Sequence, residues 1–351
     1  MPENSNDKFM RRCLDLAVRA EGMTYPNPMV GAVIVHDGII IGEGYHLKAG
    51  NPHAEVIAID SVSEKSLLSK STLYVSLEPC SHFGKTPPCA DLIISHKIPK
   101  VVIGTIDTSS EVSGRGFEKL VNAGCEVVKG VLEEECRMIN KRFFTFHEKK
   151  RPYITLKWAQ SSDGFIDIIR PDNSSVEQYW ITGKPERVLV HKWRACEQSI
   201  LVGAGTIRND NPGLNVRNWK GHDPIKIILS RSGQLKKYLI KDETNGMVLV
   251  FTENTKSEIG RAKRVILNKK IPSAFQIIDY LNKSDIQSVF IEGGAEVLDH
   301  FISLGLWDEA KIFFGNNNFN EGLKAPAIKG KTVSQMNFGS SRLEVVLNEA
   351  N

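Results

Sequence analysis

Apolar residues in the first part of the chain change repeatedly from helical spacing to strand spacing. They recur at helical intervals between positions 9 and 20, and the helix that they predict is broken at Tyr25-Pro26-Asn27-Pro28. Two β-rich runs follow at 30–35 and 39–41, and the tight-turn pair Asp37-Gly38 connects them. The pattern predicts a helix followed by a strand hairpin.

The same alternation continues to about residue 128. Helices are predicted to begin at His53 and at Cys89, and a third lies at 117–123. Buried strands are predicted at 72–77, 101–104 and 127–128. Strands that alternate with helices in this way indicate an α/β/α layered sheet.

The length of the chain indicates a second domain. A chain of 351 residues exceeds what one hydrophobic core usually fills. The charged segment 147–152 ends in a proline that cannot continue a helix, and a strand begins at Tyr153. We therefore predict one domain at 1–148 and another at 149–351, both α/β.

Composition and charge restrict the class of protein. The net charge of +4 is small for this length and spread along the chain, so we expect no nucleic-acid surface, whereas anionic small-molecule substrates remain compatible. Residues 1–12 have no apolar signal-peptide core, and no run approaches the roughly 18 apolar residues that span a bilayer. Six cysteines suit a reducing compartment. We expect a cytoplasmic protein with no membrane partner.

The most informative motif is His53-Ala54-Glu55 followed by Pro79-Cys80 and Pro88-Cys89. His53, Cys80 and Cys89 supply three zinc-type ligands, and a catalytic zinc takes three protein ligands, whereas a structural zinc takes four. Glu55 lies two residues from His53 and, on a helix, is directed too differently to bind the same ion. It is then available to move protons in a hydrolytic deamination, which is the known chemistry of this type of site.

Each part of this motif also has an ordinary interpretation. An intracellular cysteine is often a small buried hydrophobe, and a lone His-x-Glu pair occurs by chance in many chains. The two Pro-Cys dipeptides and their spacer favour metal binding, since packing would not require this composition. Cys89 is at a predicted helix start, where the dipole and the free N–H groups lower a thiol pKa and help it to coordinate as the anion.

The spacer between the cysteines departs from the short Cys-x-x-Cys form of the general signature. Its whole string, PCSHFGKTPPC at 79–89, resembles the deaminase of riboflavin biosynthesis. The resemblance implies a cytidine-deaminase-like fold and a zinc cofactor. It also implies contacts to the pyrimidine and its ribose phosphate from Asn27, His46, Lys85 and Asp107. After Asp107 the family usually continues Pro-Asn-Pro, where this chain has Thr108-Ser109-Ser110.

The second domain resembles the riboflavin-pathway reductase, whose fold is like that of dihydrofolate reductase. The resemblance runs through 153–159, 162–164, 180–183, 190–194, 200–206, 210–214 and 291–294. It implies that NADPH delivers hydride to the ribosyl C1 carbon, chemistry that mainly needs orientation. Cofactor positions are then Ala159, Trp180, Thr206, Asp210 and Gly294, and substrate positions are Gln178, Arg194, Leu214, Arg217 and Glu292.

Three arginines could bind phosphate groups of the substrate or the cofactor. Arg194 and Arg217 could grip a ribose phosphate bidentately. Arg231 follows the predicted strand 225–229 and could hold the 2′-phosphate of NADPH, in a place where the family more often has an Asp-Ser pair. Gln178 stands where the family commonly has Ser. We assign no proton donor for the reduction.

The glycines at 203–205 invite a dinucleotide-binding interpretation, which we reject. Arg208 replaces the third glycine of that motif, and no acidic residue follows at the ribose distance. The glycines, like Gly293-Gly294, still allow the backbone to approach a phosphate-bearing ligand closely. Tight strand-to-helix turns explain each pair equally well.

The leading interpretation is a bifunctional enzyme of riboflavin biosynthesis, a zinc-dependent deaminase followed by an NADPH-dependent reductase. One alternative is a nucleic-acid or nucleoside deaminase with an accessory nucleotide-binding domain, which should show a basic stripe, aromatic platforms and the short Cys-x-x-Cys spacing. Another is a non-catalytic zinc-stabilised binding protein, against which the three-ligand count and Glu55 argue. The family resemblance further implies a homo-oligomer, either a dimer or a tetramer.

Overall fold

The chain divides into two compact units, Met1–Lys150 and Arg151–Asn351. The computed structural model describes residues 5–81, 87–108, 114–169, 180–235 and 247–350. All structural statements below concern those residues. Their helices include none that is both long and apolar enough to cross a bilayer.

The described part of the first unit contains one sheet in the order β2-β1-β3-β4-β5. Strand β1 is antiparallel to β2 and β3, whereas β3, β4 and β5 are mutually parallel. The strands are β1 (Gly31–His36), β2 (Ile39–Tyr45), β3 (Thr72–Leu77), β4 (Lys100–Thr105) and β5 (Glu126–Lys129). The helices are α1 (Ser5–Ala17), α2 (Ala54–Ser61), α3 (Cys89–Ser95), α4 (Arg115–Asn122), α5 (Glu133–Ile139) and α6 (Lys141–Lys149).

This sheet is covered by helices on both faces. Ile34 of β1 belongs to an apolar cluster with residues of α2, α3 and α4, whereas its neighbour Val33 belongs to a cluster with residues of α1 and α5. Successive side chains of a strand point to opposite faces, so one strand supplies both cores. The predicted α/β/α layering is thereby confirmed. The predicted hairpin turn has Asp37 at φ 48° and Gly38 at φ 76°, the positive values that a two-residue hairpin requires.

The second unit is built on a larger sheet, with the order β11-β10-β9-β8-β12-β6-β13-β16-β15 among the described strands. The first seven strands of this order, from β11 across the sheet to β13, are mutually parallel. Strands β16 and β15 continue the sheet as an antiparallel edge. The sheet strands are β6 (Tyr153–Gln160), β8 (Ser199–Gly203), β9 (Ile225–Leu229), β10 (Val248–Thr252), β11 (Lys263–Ile266), β12 (Ser288–Gly293), β13 (Glu309–Phe314), β15 (Lys331–Phe338) and β16 (Ser341–Leu347). A separate short pair joins β7 (Phe165–Asp167) and β14 (Leu323–Lys324).

Helices cover both faces of this sheet as well. They are α7 (Lys184–Cys196), α8 (Ala204–Asp210), α9 (Ser273–Lys283) and α10 (Ala295–Ser303). Leu201 of β8 packs in the cluster that contains α9 and α10, whereas Ile200 packs with residues of α7 and α8. Parallel strands covered in this way are apolar on both sides, which explains the continuous apolar runs in the sequence.

A buried ion pair lies at the start of the second unit. Arg151 donates to both carboxylate oxygens of Asp308 at 2.6 and 2.7 Å, and the side chains are 11% and 6% exposed. The same carboxylate accepts the N–H of Ile154 at 2.8 Å, near the start of β6. Asp308 therefore neutralises the guanidinium of Arg151 and also accepts a buried backbone N–H near the start of β6.

We predict that Asp308→Ala destabilises the second unit by about 3 kcal/mol, because it leaves Arg151 buried without its counter-charge. All five tryptophans of the chain lie after residue 151, so the change can be measured by urea unfolding followed through tryptophan fluorescence. Asp279→Ala is the matched control: its pair with Lys283 is 58% and 71% exposed, and we expect a change of about 0.5 kcal/mol or less. Equal losses in the two variants would contradict this prediction.

Candidate active sites

Three side chains that could hold a metal ion meet where β3 ends and α2 and α3 begin. His53 precedes the first residue of α2, Cys89 is the first residue of α3, and Cys80 follows β3. Nδ1 of His53 lies 3.5 Å from Sγ of Cys80 and 3.3 Å from Sγ of Cys89, and the three ligand atoms lie within 4.8 Å of one another. Zinc bond lengths of about 2.0 to 2.3 Å place tetrahedral ligand atoms roughly 3.5 Å apart. The donor set and its spacing therefore fit zinc.

The two thiols differ in their ionisation. Hydrogen bonding from Cys89, and also from His53, lowers the pKa of Cys80, although burial opposes this shift. The backbone N–H of Cys89 also donates to Sγ of Cys80 at 3.3 Å. The sequence predicts that the start of α3 favours the thiolate of Cys89, and in the structure the first N–H of that helix donates to the Cys80 sulfur. The thiolate form is the one that binds metal.

Glu55 lies beside this cluster in the first turn of α2. Its side chain is almost completely buried, at 3% exposure. Burial, and then the charge of Cys80, raise the pKa of Glu55 to about 7. A buried carboxyl group next to a metal-binding cluster can accept a proton and return it.

His46 and Asn27 form a second polar pair near the cluster. Nδ1 of His46 lies 3.1 Å from the carbonyl oxygen of Pro52, which can only accept, so Nδ1 carries the proton. Nε2 of the neutral ring then accepts from Nδ2 of Asn27 at 3.1 Å. The His46 and His53 rings meet edge to face at 5.5 Å. The structure thus brings both predicted pocket residues close to the metal ligands.

Glu78, two residues before Cys80, holds the backbone between the end of β4 and the start of α4, and no sequence motif indicated this role. Its buried carboxylate accepts the backbone N–H groups of Asp107, Gly114, Gly116 and Phe117 at 2.9 to 3.2 Å. Two of these donors belong to the first turn of α4, whose preceding residue Gly114 has no side chain to cap it. Asp107 is buried, Thr108 follows it, and Lys85, Ser109 and Ser110 lie outside the described residues.

The second unit brings several predicted cofactor positions to the carboxyl ends of its central parallel strands. Ala159 lies at the end of β6, Thr206 and Asp210 lie on α8 directly after β8, and Gly294 follows β12. A Cβ atom built on Gly294, whose φ is +44°, would lie 3.4 Å from Oγ1 of Thr206. Trp180 is 51% exposed beneath the Arg187 guanidinium, and Gln178 lies outside the described residues.

The predicted substrate residues of this unit form a charged cluster. Arg194 donates to both oxygens of Glu292 at 2.5 and 2.8 Å, and its third contact is the carbonyl oxygen of Asn215 at 3.1 Å. Arg217 is exposed, and its guanidinium contacts Oδ1 of Asn215 at 2.6 Å. Leu214 is buried beside them. Although burial opposes the shift, Arg194 and then Lys157 lower the pKa of Glu292, which is therefore ionised at neutral pH.

Sequence analysis did not identify two members of this cluster. Lys157 is a partly buried amine 3.9 Å from Glu292, and desolvation lowers its pKa while Glu292 opposes the shift. His191 accepts the backbone N–H of Arg217 at 3.2 Å through Nδ1. Lys157 could have been recognised because it is a lysine inside the apolar run of β6. No feature of the sequence indicated the role of His191.

Arg231 lies apart from this cluster, at the carboxyl end of β9. It borders an open depression of about 420 Å³ with Ser232, Glu253, Asn254, Thr255 and Lys269. Its guanidinium contacts Glu296 at 3.0 Å, in a pair whose side chains are 70% and 86% exposed. Such an exposed pair contributes little and can be exchanged for a stronger anion.

Two protein-family models match this chain, one within each of its two compact units. Residues 3–105 match the cytidine and deoxycytidylate deaminase zinc-binding region, and residues 152–316 match the RibD C-terminal domain. The class of protein is therefore a zinc-binding, cytidine-deaminase-like domain joined to a reductase domain in one mixed α/β chain. This confirms the fold class expected from the sequence.

Relatives and solved structures identify the family. The riboflavin biosynthesis protein RibD of Aquifex aeolicus is 42% identical over 320 residues, which cover 90% of this chain and 88% of the relative. That of Escherichia coli is 34% identical, with 88% and 87% covered. A Thermotoga maritima diaminohydroxyphosphoribosylaminopyrimidine deaminase/5-amino-6-(5-phosphoribosylamino)uracil reductase superposes with a TM-score of 0.88 at 39% identity, covering 98% of this chain and 99% of the other. Acinetobacter baumannii RibD gives a TM-score of 0.86 at 31% identity, with 98% of each chain covered.

This chain belongs to the RibD family of riboflavin biosynthesis, in which a deaminase and a reductase share one polypeptide. The resemblance stated from the motifs is confirmed. The alternative of a nucleic-acid deaminase with an accessory domain is not favoured.

We predict that the second unit loses stability in acid partly through His191. Burial, and then Arg194 and Arg217, lower the pKa of His191, so the folded state prefers the neutral ring. The resulting stability is fully present above the unfolded pKa of about 6.5 and is lost as pH falls through the lower folded pKa. Between pH 7 and pH 5, thermal unfolding followed by tryptophan fluorescence should shift less in His191→Asn than in the unmodified chain.

The amide oxygen of Asn can still accept the Arg217 N–H and does not titrate, which is why this substitution isolates the ring charge. His222→Asn, at an exposed histidine of the same unit, is the control and should keep the original pH dependence. If His191→Asn kept the full acid shift, His191 would not be its source.

Proposed function

We propose that the first unit deaminates diaminohydroxyphosphoribosylaminopyrimidine and that the second reduces 5-amino-6-(5-phosphoribosylamino)uracil with NADPH. The observation that carries the proposal is the convergence of His53, Cys80 and Cys89 beside buried Glu55. The Thermotoga maritima relative, which is named for both reactions, supports the choice of substrates. A cytoplasmic location and a homo-oligomer, either a dimer or a tetramer, are also part of the proposal. Light scattering on the purified protein tests the oligomeric state.

His53, Cys80 and Cys89 would hold zinc, which supplies Lewis acidity toward water. Two thiolates and a neutral imidazole bring the charge of a divalent ion to zero, so the site acidifies water less than a histidine-only site would. A base is therefore needed, and Glu55 is the buried carboxyl group beside the three ligands. Glu55 takes a proton from the attacking water, gives it to a ring nitrogen of the pyrimidine and assists the departure of ammonia.

Substrate contacts follow from the polar residues around this centre. Asn27 and neutral His46, linked by their own hydrogen bond, offer an amide and an imidazole to the pyrimidine or ribose. Lys85 lies between the two cysteines in sequence and would contribute a cation toward the ribose phosphate. Asp107 is tied to Glu78 and would complete the pocket.

We predict that Glu55→Gln retains zinc but lowers the rate of ammonia release at least about a hundredfold, because the amide cannot accept the proton. Ammonia release and zinc content should be measured on the same preparation. Glu43→Gln is the matched control, since this glutamate of the same unit pairs with Arg12 at 2.7 Å in strand β2. Normal turnover by Glu55→Gln would remove Glu55 from the mechanism.

The reductase half depends on orientation more than on acid-base chemistry, because NADPH carries the hydride. Ala159, Trp180, Thr206, Asp210 and Gly294 would hold the cofactor. Since the guanidinium of Arg194 is occupied by Glu292, we assign Arg194 to the positioning of Glu292. Exposed Arg217 would take the ribose phosphate, and Leu214, Gln178, Glu292 and Lys157 would line the remainder of the substrate site.

The depression at Arg231 suits the adenosine end of NADPH. Arg231 and Lys269 supply two cations to its border, and the exposed Glu296 pair can yield to a phosphate dianion. The 2′-phosphate is the group that distinguishes NADPH from NADH. Arg231 would therefore contribute to cofactor preference.

We predict that Arg231→Ser raises KM for NADPH about tenfold and changes KM for NADH little, since only NADPH carries the lost partner. Steady-state oxidation of each cofactor provides the measurement. Arg137→Ser is the control, because Arg137 forms a similar carboxylate pair with Glu148 in the first unit. A parallel change in both KM values would show that Arg231 does not read the 2′-phosphate.

A further inference from the structure

Asn140 occupies the junction between α5 and α6 and has been given no role so far. Its side chain is 3% exposed, although asparagine is usually a surface residue. It lies outside both matched ranges, 3–105 and 152–316. A buried amide at such a position should be fully occupied by specific partners.

Both ends of this amide bind the backbone of one residue. Oδ1 of Asn140 accepts the N–H of Met29 at 2.8 Å, and Nδ2 donates to the carbonyl oxygen of Met29 at 2.8 Å. Met29 is itself buried, so neither backbone group could be left without a partner at low cost. The side chain acts toward Met29 as the edge of a neighbouring strand would.

Met29 is placed between the two pocket residues of the proposed deaminase. Asn27 lies two residues before it, and the next residue, Val30, accepts the backbone N–H of His46 at 2.9 Å. The side chains of Asn27 and His46 then meet at 3.1 Å. A displacement of Met29 would therefore move one pocket residue directly and the other through Val30.

The support of Asn140 is itself rigid. Its backbone N–H donates to the carbonyl oxygen of Arg137 at 3.0 Å, and its carbonyl oxygen accepts from Phe144 at 3.0 Å. Phe143 and Phe144 pack with Leu77 of β3, and Val30 packs against the same cluster. The helices that follow residue 133 thus hold Asn140 against the core of the first unit.

We propose that Asn140 is a positioning residue of the deaminase site, which fixes Met29 and thereby sets Asn27 and His46 at the distance that the substrate requires. This inference rests on the proposed deaminase function. Asn140 touches none of the three metal-binding residues in the described contacts, so its effect should fall on substrate binding and leave the metal in place. Contacts made equally in the ground state and the transition state raise KM when lost and leave kcat unchanged.

The test compares Asn140→Ala and Asn140→Gln in the full-length, zinc-containing chain with the deaminase substrate as the probe. For Asn140→Ala we expect KM to rise about tenfold or more, with kcat changed less than about threefold and zinc content unchanged. Asn140→Gln presents the same amide groups on a longer stem and should recover part of the loss. Amide hydrogen exchange should show faster exchange at Met29 in Asn140→Ala, and slower exchange again in Asn140→Gln.

The control variant is Asn348→Ala. Nδ2 of Asn348 also binds backbone carbonyls, those of Gly305 and Trp307 at 3.2 and 2.8 Å, but in the second unit. It should leave the deaminase KM unchanged and lower the thermal stability reported by tryptophan fluorescence.

Three results would overturn the inference. One is an unchanged KM in Asn140→Ala despite faster exchange at Met29. Another is a parallel loss of kcat, zinc and calorimetric stability that Asn140→Gln does not reduce, since that is a purely structural effect. The third is an equal rise of KM in Asn348→Ala. Absence of ammonia release from the unmodified chain would instead reject the proposed function, so the two failures are distinguishable.

Discussion

The first unit depends on the convergence of three donor atoms that are distant in sequence. A strand end supplies Cys80 and two helix starts supply His53 and Cys89, because parallel strands and the helices that follow them place successive loops at one edge of a sheet. The spacing of the three atoms is imposed by apolar packing of α2 and α3 on β1 and β3, not by the ligands themselves. Burial of Glu55 follows from the same packing. The site therefore has its geometry only as far as that core is intact.

Loops between these elements are held by side chains that satisfy buried backbone groups. Glu78 accepts four backbone N–H groups, two from the stretch between β4 and α4 and two from the first turn of α4, and Asn140 binds both backbone groups of Met29. An unpaired buried donor in either place would cost about 1 to 3 kcal/mol. Under the proposal above, these two polar side chains determine where the predicted pocket residues lie.

The helices and strands could be predicted from the sequence because each follows from the spacing of apolar residues that are close together in the chain. Strand 72–77 and the turn Asp37-Gly38 are examples, since apolar spacing and turn chemistry are properties of neighbouring residues. The three candidate metal ligands were also predicted from local motifs, His-x-Glu and the two Pro-Cys pairs, and the structure brings them together. The roles of Glu78 and Asn140 could not be found, because Asn140 and its partner are 111 residues apart and an isolated Asn carries no signal. Arg194 shows the same limit: the sequence predicts it as a substrate contact, but its partner Glu292 is 98 residues away and carries no local signal of the pairing.

The two units handle charge in opposite ways, and this follows from their chemistry. In the first, two thiolates and an imidazole would neutralise a divalent ion, so catalytic work passes to a single buried carboxyl group. In the second, Lys157, Arg194 and Glu292 leave a net positive cluster around an ionised carboxylate, and no metal-type grouping of His, Cys, Asp and Glu is found there among the described residues. A hydride donor needs an oriented substrate more than a strong base, and a rigid charged cluster orients an anionic substrate well. Each arrangement of charge is therefore matched to the reaction that its own unit would perform.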